Sequence, residues 1–190
     1  MAGASLWKGS AMRWLGNRGF ASRFGAVAAG GALALALGAA RPAPPPPPGP
    51  SGPLSAAEQA AAFRAAGFRK VGSQWKACGD PGRPGYEPGV IESVADRNGD
   101  GLPEAVITEG SNYCYGNVAT GFALVSRQPG GGWKLIFSSP GVPTFLPSHG
   151  VGNWPDISIG GPYFCFPVRR WDGTTWVPHG FQYAGKPCTK

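Results

Sequence analysis

Short runs of alternating apolar and polar residues follow one another from Val90 onward, separated by Gly, Pro and Asn. A period of two is typical of half-buried β-strands, and the interrupting residues are typical of turns. The pattern therefore predicts an antiparallel meander with hairpin turns at residues 130–132 and 172–173. The predicted strands are residues 90–95, 104–109, 121–127, 133–138, 156–159, 164–171 and 174–178.

Residues 54–67 carry a different pattern, which predicts one N-terminal helix. Ser55 followed by Glu58 has the spacing of a capping box, alanine fills the middle, and Gly67 ends the segment. Phe63 and Phe68 are expected to hold this helix against the sheet. The Gly- and Pro-rich residues from 79 to 89 are expected to form a loop without regular structure. The predicted fold class is mainly β (α+β), an antiparallel sheet with one helix.

The first 53 residues are expected to be a targeting segment and a spacer, and not part of the folded domain. Residues 1–40 combine a basic leader with an apolar run and small residues near its end, as in a signal peptide. An uncleaved anchor is the alternative, and it would be the chain's only attachment to a membrane. Residues 41–53 are a Pro-rich linker, expected to be extended, with a motif for Pro-binding domains as the alternative. The folded domain is then residues 54–190, exported to the periplasm or the extracellular space.

The positive charge of the chain belongs partly to this leader. The net charge is +7, but four of the 17 basic residues precede Ala40, and the remaining 13 face 10 acidic residues. Nucleic-acid binders place basic and aromatic residues together on one face. The only basic pairs here are Arg69-Lys70 and Arg169-Arg170. A nucleic-acid partner is therefore not expected.

Four cysteines in an exported chain predict a disulfide framework. Four cysteines allow three pairings, and Cys78–Cys114 with Cys165–Cys188 is favoured because shorter loops close most readily. A zinc site is the poorer alternative, since no C-x-x-C spacing occurs and both histidines lie far from any cysteine in sequence.

The segment with the most specific chemistry is the acidic loop of residues 96–104, D-R-N-G-D-G-L-P-E. Oxygen ligands fall at loop positions one, three, five, seven and nine, with Gly101 at position six, where a metal loop turns sharply. These ligands are Asp96, Asn98, Asp100, the backbone carbonyl of Leu102, and Glu104. Ile107 occupies position twelve and both flanks alternate like strands, so the prediction is a strand–calcium loop–strand hairpin and not an EF-hand. A metal-free turn is the alternative, because Asp, Asn and Gly favour turns by themselves.

The motif D-x-N-G-D-G-x-x-E followed by A-V-I resembles the loop of FG-GAP and VCBS-type repeats, the blades of integrin-like β-propellers. It is also similar to small secreted bacterial proteins that carry one such loop, with weaker matches at residues 112–117 and 171–173. The acidic loop occurs once, whereas a propeller needs at least four blades, so the chain is not a complete propeller. The resemblance implies a binding or scaffolding role with Ca²⁺ as a structural cofactor.

These patterns favour an exported, non-catalytic β-rich binding or structural module whose partner is a protein or glycan of the cell envelope. The alternatives are a secreted hydrolase and an inhibitor of a secreted cell-wall hydrolase. Six aromatic residues are expected to be mainly core, with a recognition surface as the alternative: Tyr113, Tyr115, Trp154, Tyr163, Phe164 and Phe166. The acid–base groups open to a hydrolase are Glu92, Glu104, Glu109, Asp156 and His149.

Overall fold

The computed structural model describes residues 53–162 and 164–189, and the predicted signal peptide and nearly all of the linker lie outside this part. Its α-helices are α1 (Ala56–Ala65) and the single turn α2 (Asn112–Tyr115), and two short 3-10 helices span Gly116–Val118 and Val151–Asn153. Its strands are β1 (Arg69–Val71), β2 (Gln74–Lys76), β3 (Glu87–Ala95), β4 (Glu104–Gly110), β5 (Thr120–Arg127), β6 (Trp133–Pro140), β7 (Val142–His149), β8 (Pro155–Gly160), β9 (Phe166–Trp171), β10 (Trp176–Tyr183) and β11 (Lys186–Pro187). The predicted mainly β fold class is confirmed.

The strands form two antiparallel sheets in the order in which they occur along the chain. The first sheet contains β1 to β6, and the second contains β7 to β11. Every strand pairs with its neighbours in sequence, except that β6 and β7 belong to different sheets. This arrangement is the expected meander, divided into two layers.

Gly141 is the single residue between β6 and β7, and it turns the chain from one sheet into the other. Its φ is 125°, in the region that favours glycine. A Cβ at this position would meet Ile159 Cγ2 and would lie 2.8 Å from the carbonyl oxygen of Gly160. The kink therefore requires a residue without a side chain.

Helix α1 begins as the capping-box prediction requires. The Glu58 amide donates to Ser55 Oγ at 3.3 Å, and the Ser55 amide donates to Glu58 Oε2 at 3.1 Å. The helix and the residues just after it pack on the first sheet through Phe63 and Phe68, both buried, and Phe63 stacks on Trp75 with ring centroids 4.8 Å apart. The predicted anchoring of the helix by these two phenylalanines is confirmed.

The hydrophobic core has two parts because β4 and β5 bury both of their faces. One face packs under α1, and the other packs against the second sheet. The buried residues at the interface between α1 and the first sheet are Ala62, Phe63, Phe68, Ala105, Ile107 and Val125. Those between the sheets are Val106, Phe122, Leu124, Trp154, Ile157, Ile159 and Trp176.

All seven predicted strands are present, but several boundaries differ, and five elements are additional to the prediction: β1, β2, α2, β7 and β11. β3 begins at Glu87 instead of Val90, and so enters the stretch that was expected to be irregular. A register shift between Glu87 and Val90 accommodates the Pro88-Gly89 pair. β9 begins only at Phe166, because Cys165 has a φ of 67°, which a strand does not allow.

The short hairpin of β1 and β2 and the strand β7 were not predicted. β7 contains two prolines, and proline is confined mainly to edge strands because it has no amide hydrogen to donate. In the structure β7 is the edge of the second sheet, so its prolines are tolerated. β10 continues past its predicted end because a register shift between Pro178 and Phe181 absorbs Gly180.

Both favoured disulfides are confirmed. Cys78 and Cys114 have Cα atoms 6.1 Å apart and join the segment after β2 to α2. Cys165 and Cys188 have Cα atoms 5.8 Å apart and join the start of β9 to the segment after β11. No cysteine in the described residues is free.

Candidate functional site

The acidic loop connects β3 to β4 and is flanked by strands on both sides. Ala95 pairs with Glu104 across the base of the hairpin. The expected strand–loop–strand arrangement is therefore correct.

Asp96 fixes the first turn of this loop through its carboxylate. Oδ1 accepts the Gly99 amide at 2.8 Å, and Oδ2 accepts the Gly101 amide at 2.9 Å. Both glycines have positive φ, 77° and 86°, so the two G residues of the motif serve the backbone path of the loop. The Asp96 carboxylate thus closes the turn through two backbone amides.

Asn98 and Asp100 close the second turn by binding each other and the backbone. The Asp100 amide donates to Asn98 Oδ1 at 3.1 Å, and Asn98 Nδ2 donates to Asp100 Oδ2 at 3.1 Å. Asp100 Oδ1 accepts the Leu102 amide at 2.8 Å. Asn98 is buried, whereas Asp96 and Asp100 are exposed, so the two aspartates carry their charges at the rim of the loop.

Glu104 lies at the base of the loop with no exposed surface. Its Oε2 accepts the Arg97 amide at 2.8 Å, and its Oε1 accepts the Ser126 hydroxyl at 2.9 Å. Burial raises the pKa of Glu104 to about 7, the two hydrogen bonds oppose this, and the negative charges of Asp100 and Asp96 add to it. The loop thus combines a buried carboxylate with two exposed ones that repel it.

The donor chemistry of the loop suits calcium, which prefers carboxylate, amide and carbonyl oxygens. Each carboxylate oxygen that accepts one backbone amide keeps a second lone pair for a cation. In the described residues, however, no three side chains of the His, Cys, Asp and Glu types are grouped so that they could hold a metal ion. The ligand types and their order fit calcium, but the side chains do not converge as a cage.

The acidic loop also contacts the second sheet, which the sequence did not predict. Asn153 Nδ2 donates to the Asn98 carbonyl oxygen at 2.9 Å. The guanidinium of Arg97 lies 3.8 Å from the centroid of the Phe145 ring and donates to Ser93 Oγ at 2.6 Å. The loop therefore lies where the two sheets meet. Gly152-Asn153 is a turn signal in the sequence, but nothing in it identifies the partner.

Glu109, near the other end of β4, holds a different network around the first disulfide. This buried carboxylate accepts the amides of Ala77 and Cys78 at 3.0 and 3.1 Å. It also accepts the hydroxyls of Tyr86 and Tyr115 at 2.8 and 2.7 Å. Burial and the hydrogen bond to Glu109 raise the pKa of both tyrosines. Because Glu109 accepts four hydrogen bonds, we infer that it has a structural role and positions the segment that carries Cys78.

Asp156 is held in the second sheet by Arg170 and Ser148. Arg170 donates Nε to Oδ1 at 2.9 Å and Nη2 to Oδ2 at 2.6 Å, while the Ser148 hydroxyl donates to Oδ2 at 2.6 Å. Burial opposes ionisation, but these hydrogen bonds and the Arg170 charge hold the pKa of Asp156 below its usual range. A carboxylate stabilised in its charged form is a weak proton acceptor.

The five acid–base groups proposed for a hydrolase occupy separate surroundings. Glu104 and Glu109 lie near opposite ends of β4, Asp156 is paired in the second sheet, and Glu92 and His149 are exposed. No hydrogen bond or ion pair joins two of the five within residues 53–162 and 164–189.

The expected aromatic group is divided between core and surface. Trp154 is buried between the sheets, where its ring lies 6.0 Å from that of Trp176. Tyr113 and Phe164 are exposed by 56% and 74%. Tyr115 and Phe166 are half-buried, and Tyr163 lies outside the described residues.

No helix within the described residues is both long and apolar enough to cross a bilayer. Comparisons with protein-family models, with curated proteins and with solved structures found no match to this chain.

Proposed function

We propose that residues 54–190 form an exported, non-catalytic binding or structural module, and that its acidic loop binds one structural calcium ion. The observation that carries the calcium proposal is the burial of Glu104 beneath two exposed aspartates that repel its charge. A divalent cation among these three groups would offset both the desolvation of Glu104 and the repulsion.

Calcium binding requires the exposed side chains to move. Asp96 and Asp100 would draw in toward Glu104, and the Leu102 carbonyl and Asn98 Oδ1 would complete the oxygen set. Flexible oxygen coordination of this kind is available to calcium, which accepts six to eight ligands. The strands on either side limit the movement to the loop itself.

The expected affinity is modest. Extracellular calcium modules of this type bind with Kd of about 10⁻⁴ to 10⁻³ M. At calcium concentrations of one to ten times Kd, binding would add about 0.4 to 1.4 kcal/mol to the free energy of unfolding. Calcium would therefore order a loop between the sheets, whereas the disulfides contribute more to the stability of the module.

Export is supported by the disulfides and by the leader pattern. Each cystine joins two segments that lie between or beyond the strands, and such bonds persist in oxidising compartments. We expect the protein to fractionate outside the cytoplasm and to begin after the leader, as N-terminal sequencing of the purified protein would measure. Recovery of the whole chain, with its leader, from the cytoplasm would contradict export.

The calcium proposal is tested by thermal unfolding with and without 5 mM calcium, in the wild type and in Asp100→Asn. We expect calcium to raise the melting temperature of the wild type by a few degrees and that of the variant by much less. Asp172→Asn is the matched control, because Asp172 also accepts two turn amides, from Thr174 and Thr175, in a different turn, between β9 and β10. Equal shifts in all three proteins would mean that any calcium effect lies elsewhere.

The alternative of a secreted hydrolase is tested by a screen of the purified domain on glycan, peptide and ester substrates. We expect no turnover that is abolished by replacing any of the five acid–base groups. Turnover lost in Asp156→Asn alone would instead place a reaction at the Ser148–Asp156 pair.

A further inference from the structure

The second sheet carries a cleft of 460 Å³ to which all five of its strands contribute. One residue from each strand marks its course: Leu146, Asp156, Val168, Gln182 and Pro187. Its volume lies within the range of about 300–1,000 Å³ that is usual for small-molecule sites. We call it the second-sheet cleft.

The floor of the second-sheet cleft is charged but compensated. Asp156 has no exposed surface, and its carboxylate is bound by two nitrogens of Arg170. Because the two charges neutralise each other and are fixed by this bidentate contact, the floor favours neither a cation nor an anion. The selectivity of the cleft then depends on the neutral groups around this pair.

These neutral groups offer both donors and acceptors. Ser148 donates its proton to Asp156, so its oxygen lone pairs remain to accept. Gln182 Nε2 donates one hydrogen to Ser158 Oγ at 2.8 Å and has a second hydrogen. The exposed imidazole of His179 can donate and accept. A site for an anion needs only hydrogen-bond donors, and a site for a protonated amine needs only acceptors. A site with both donors and acceptors matches hydroxyl groups, which donate and accept.

The walls of the cleft are apolar. Leu146, Pro147 and Pro187 line it at the edge strands, and the buried side chain of Val168 lines it near the centre. A ligand with hydroxyls on its rim and an apolar ring face would satisfy both kinds of surface. Sugar rings combine these two properties.

We propose that the second-sheet cleft binds a neutral saccharide, with its hydroxyls on Ser148, His179 and Gln182 and its ring face against Leu146 and Val168. This inference rests on the proposed binding role of the module. It does not rest on the calcium ion, because the acidic loop contributes no residue to the cleft.

The test is titration calorimetry of the chain from Leu54 onward with its disulfides intact, using cellotriose, maltotriose and chitotriose as probes. We expect at least one trisaccharide to bind. Its Kd should rise about three- to tenfold in His179→Ala and in Gln182→Leu, as expected for loss of one hydrogen bond. His149→Ala is the matched control, because His149 is an exposed histidine of the same sheet that does not line the cleft; its Kd should equal that of the wild type.

Three results would overturn the inference: no binding of any of the three sugars, a Kd that neither cleft substitution changes, or an equal loss in His149→Ala. Binding of an acidic or basic tripeptide at the same residues, without sugar binding, would also overturn it in favour of a peptide site. Repeating the titration in EDTA separates the two proposals. Sugar binding that persists in EDTA supports the cleft even if the acidic loop binds no calcium.

Discussion

Glu104 and Glu109 are buried carboxylates near opposite ends of β4, and their surroundings differ in hydrogen bonding and in nearby charge. Glu109 accepts four hydrogen bonds, two of them from tyrosine hydroxyls, whereas Glu104 accepts two and lies near two further negative charges. The carboxylate of Glu109 is satisfied by neutral hydrogen-bond donors. Glu104 keeps a raised pKa, because its burial and the two aspartate charges outweigh its two hydrogen bonds.

The pKa of Glu104 predicts how stability depends on pH. The folded-state pKa is about 7, against an ordinary value of 4.5, so between these values the folded protein binds more protons than the unfolded chain. The free energy of unfolding in EDTA should therefore fall as pH rises from 5 to 8, by at most about 3 kcal/mol from this residue. Urea unfolding at several pH values measures this.

Glu104→Gln should remove that part of the pH dependence, and the exposed control Glu92→Gln should retain it. Both variants keep the two histidines, so the difference between them isolates Glu104. An identical pH slope in the wild type and in Glu104→Gln would contradict the raised pKa.

Glu109 should be important for stability irrespective of any ligand. Glu109→Ala leaves two hydroxyls and two backbone amides without their acceptor beside the first disulfide. We expect a loss of at least about 3 kcal/mol in the free energy of unfolding, measured by urea denaturation. Glu92→Ala, on the exposed side of β3, should change it by less than about 0.5 kcal/mol. Losses of similar size in the two variants would show that the hydrogen-bond network contributes little.

At the scale of elements, the connection between β6 and β7 is the most restrictive position. Gly141→Ala adds a Cβ that meets Ile159 and the backbone of Gly160, at a φ that favours glycine. We expect a loss of about 2–4 kcal/mol in the free energy of unfolding, measured by chemical denaturation. Gly130→Ala is the control, since a Cβ there meets no atom within 4 Å. A Gly141→Ala protein as stable as the control would show that the kink tolerates a side chain.

Elements with local signals could be predicted, and those that depend on distant partners could not. The capping box of Ser55 and Glu58 lies within four residues, and the acidic loop has its glycines at fixed offsets, so both could be read directly. The disulfide pairing followed from loop length. The proline-containing β7 was missed because its tolerance depends on being an edge strand, which only the topology reveals.

The contacts that shape the acidic loop and the second-sheet cleft depend on partners that are distant in sequence. Asn153 reaches Asn98 from 55 residues away in sequence, and Arg170 binds Asp156 across 14 residues. No local pattern marks either pair, because an exposed turn asparagine and a strand arginine have many possible partners. The acidic loop could therefore be predicted as a hairpin, but not as a contact between sheets.

At the scale of the whole molecule, the meander pairs strands that are close in sequence. The two disulfides add covalent links between segments that are further apart. The loops closed by the cystines span 36 and 23 residues. On the chain-entropy model each bond contributes about 3–4 kcal/mol. Replacing Cys165 and Cys188 together by serine should lower the free energy of unfolding by about this amount, as urea denaturation would measure. An unchanged free energy of unfolding would mean that the segment around Cys188 is held in place without the disulfide.

Calcium binding by the acidic loop is measured most directly by titration calorimetry of calcium into the metal-free chain from Leu54 onward at pH 8. We expect one site with a Kd of about 10⁻⁴ to 10⁻³ M. This binding should be lost in Asp100→Asn and kept in Asp172→Asn. The absence of any binding heat up to 10 mM calcium, or the same heat in Asp100→Asn as in the wild type, would contradict calcium binding by this loop.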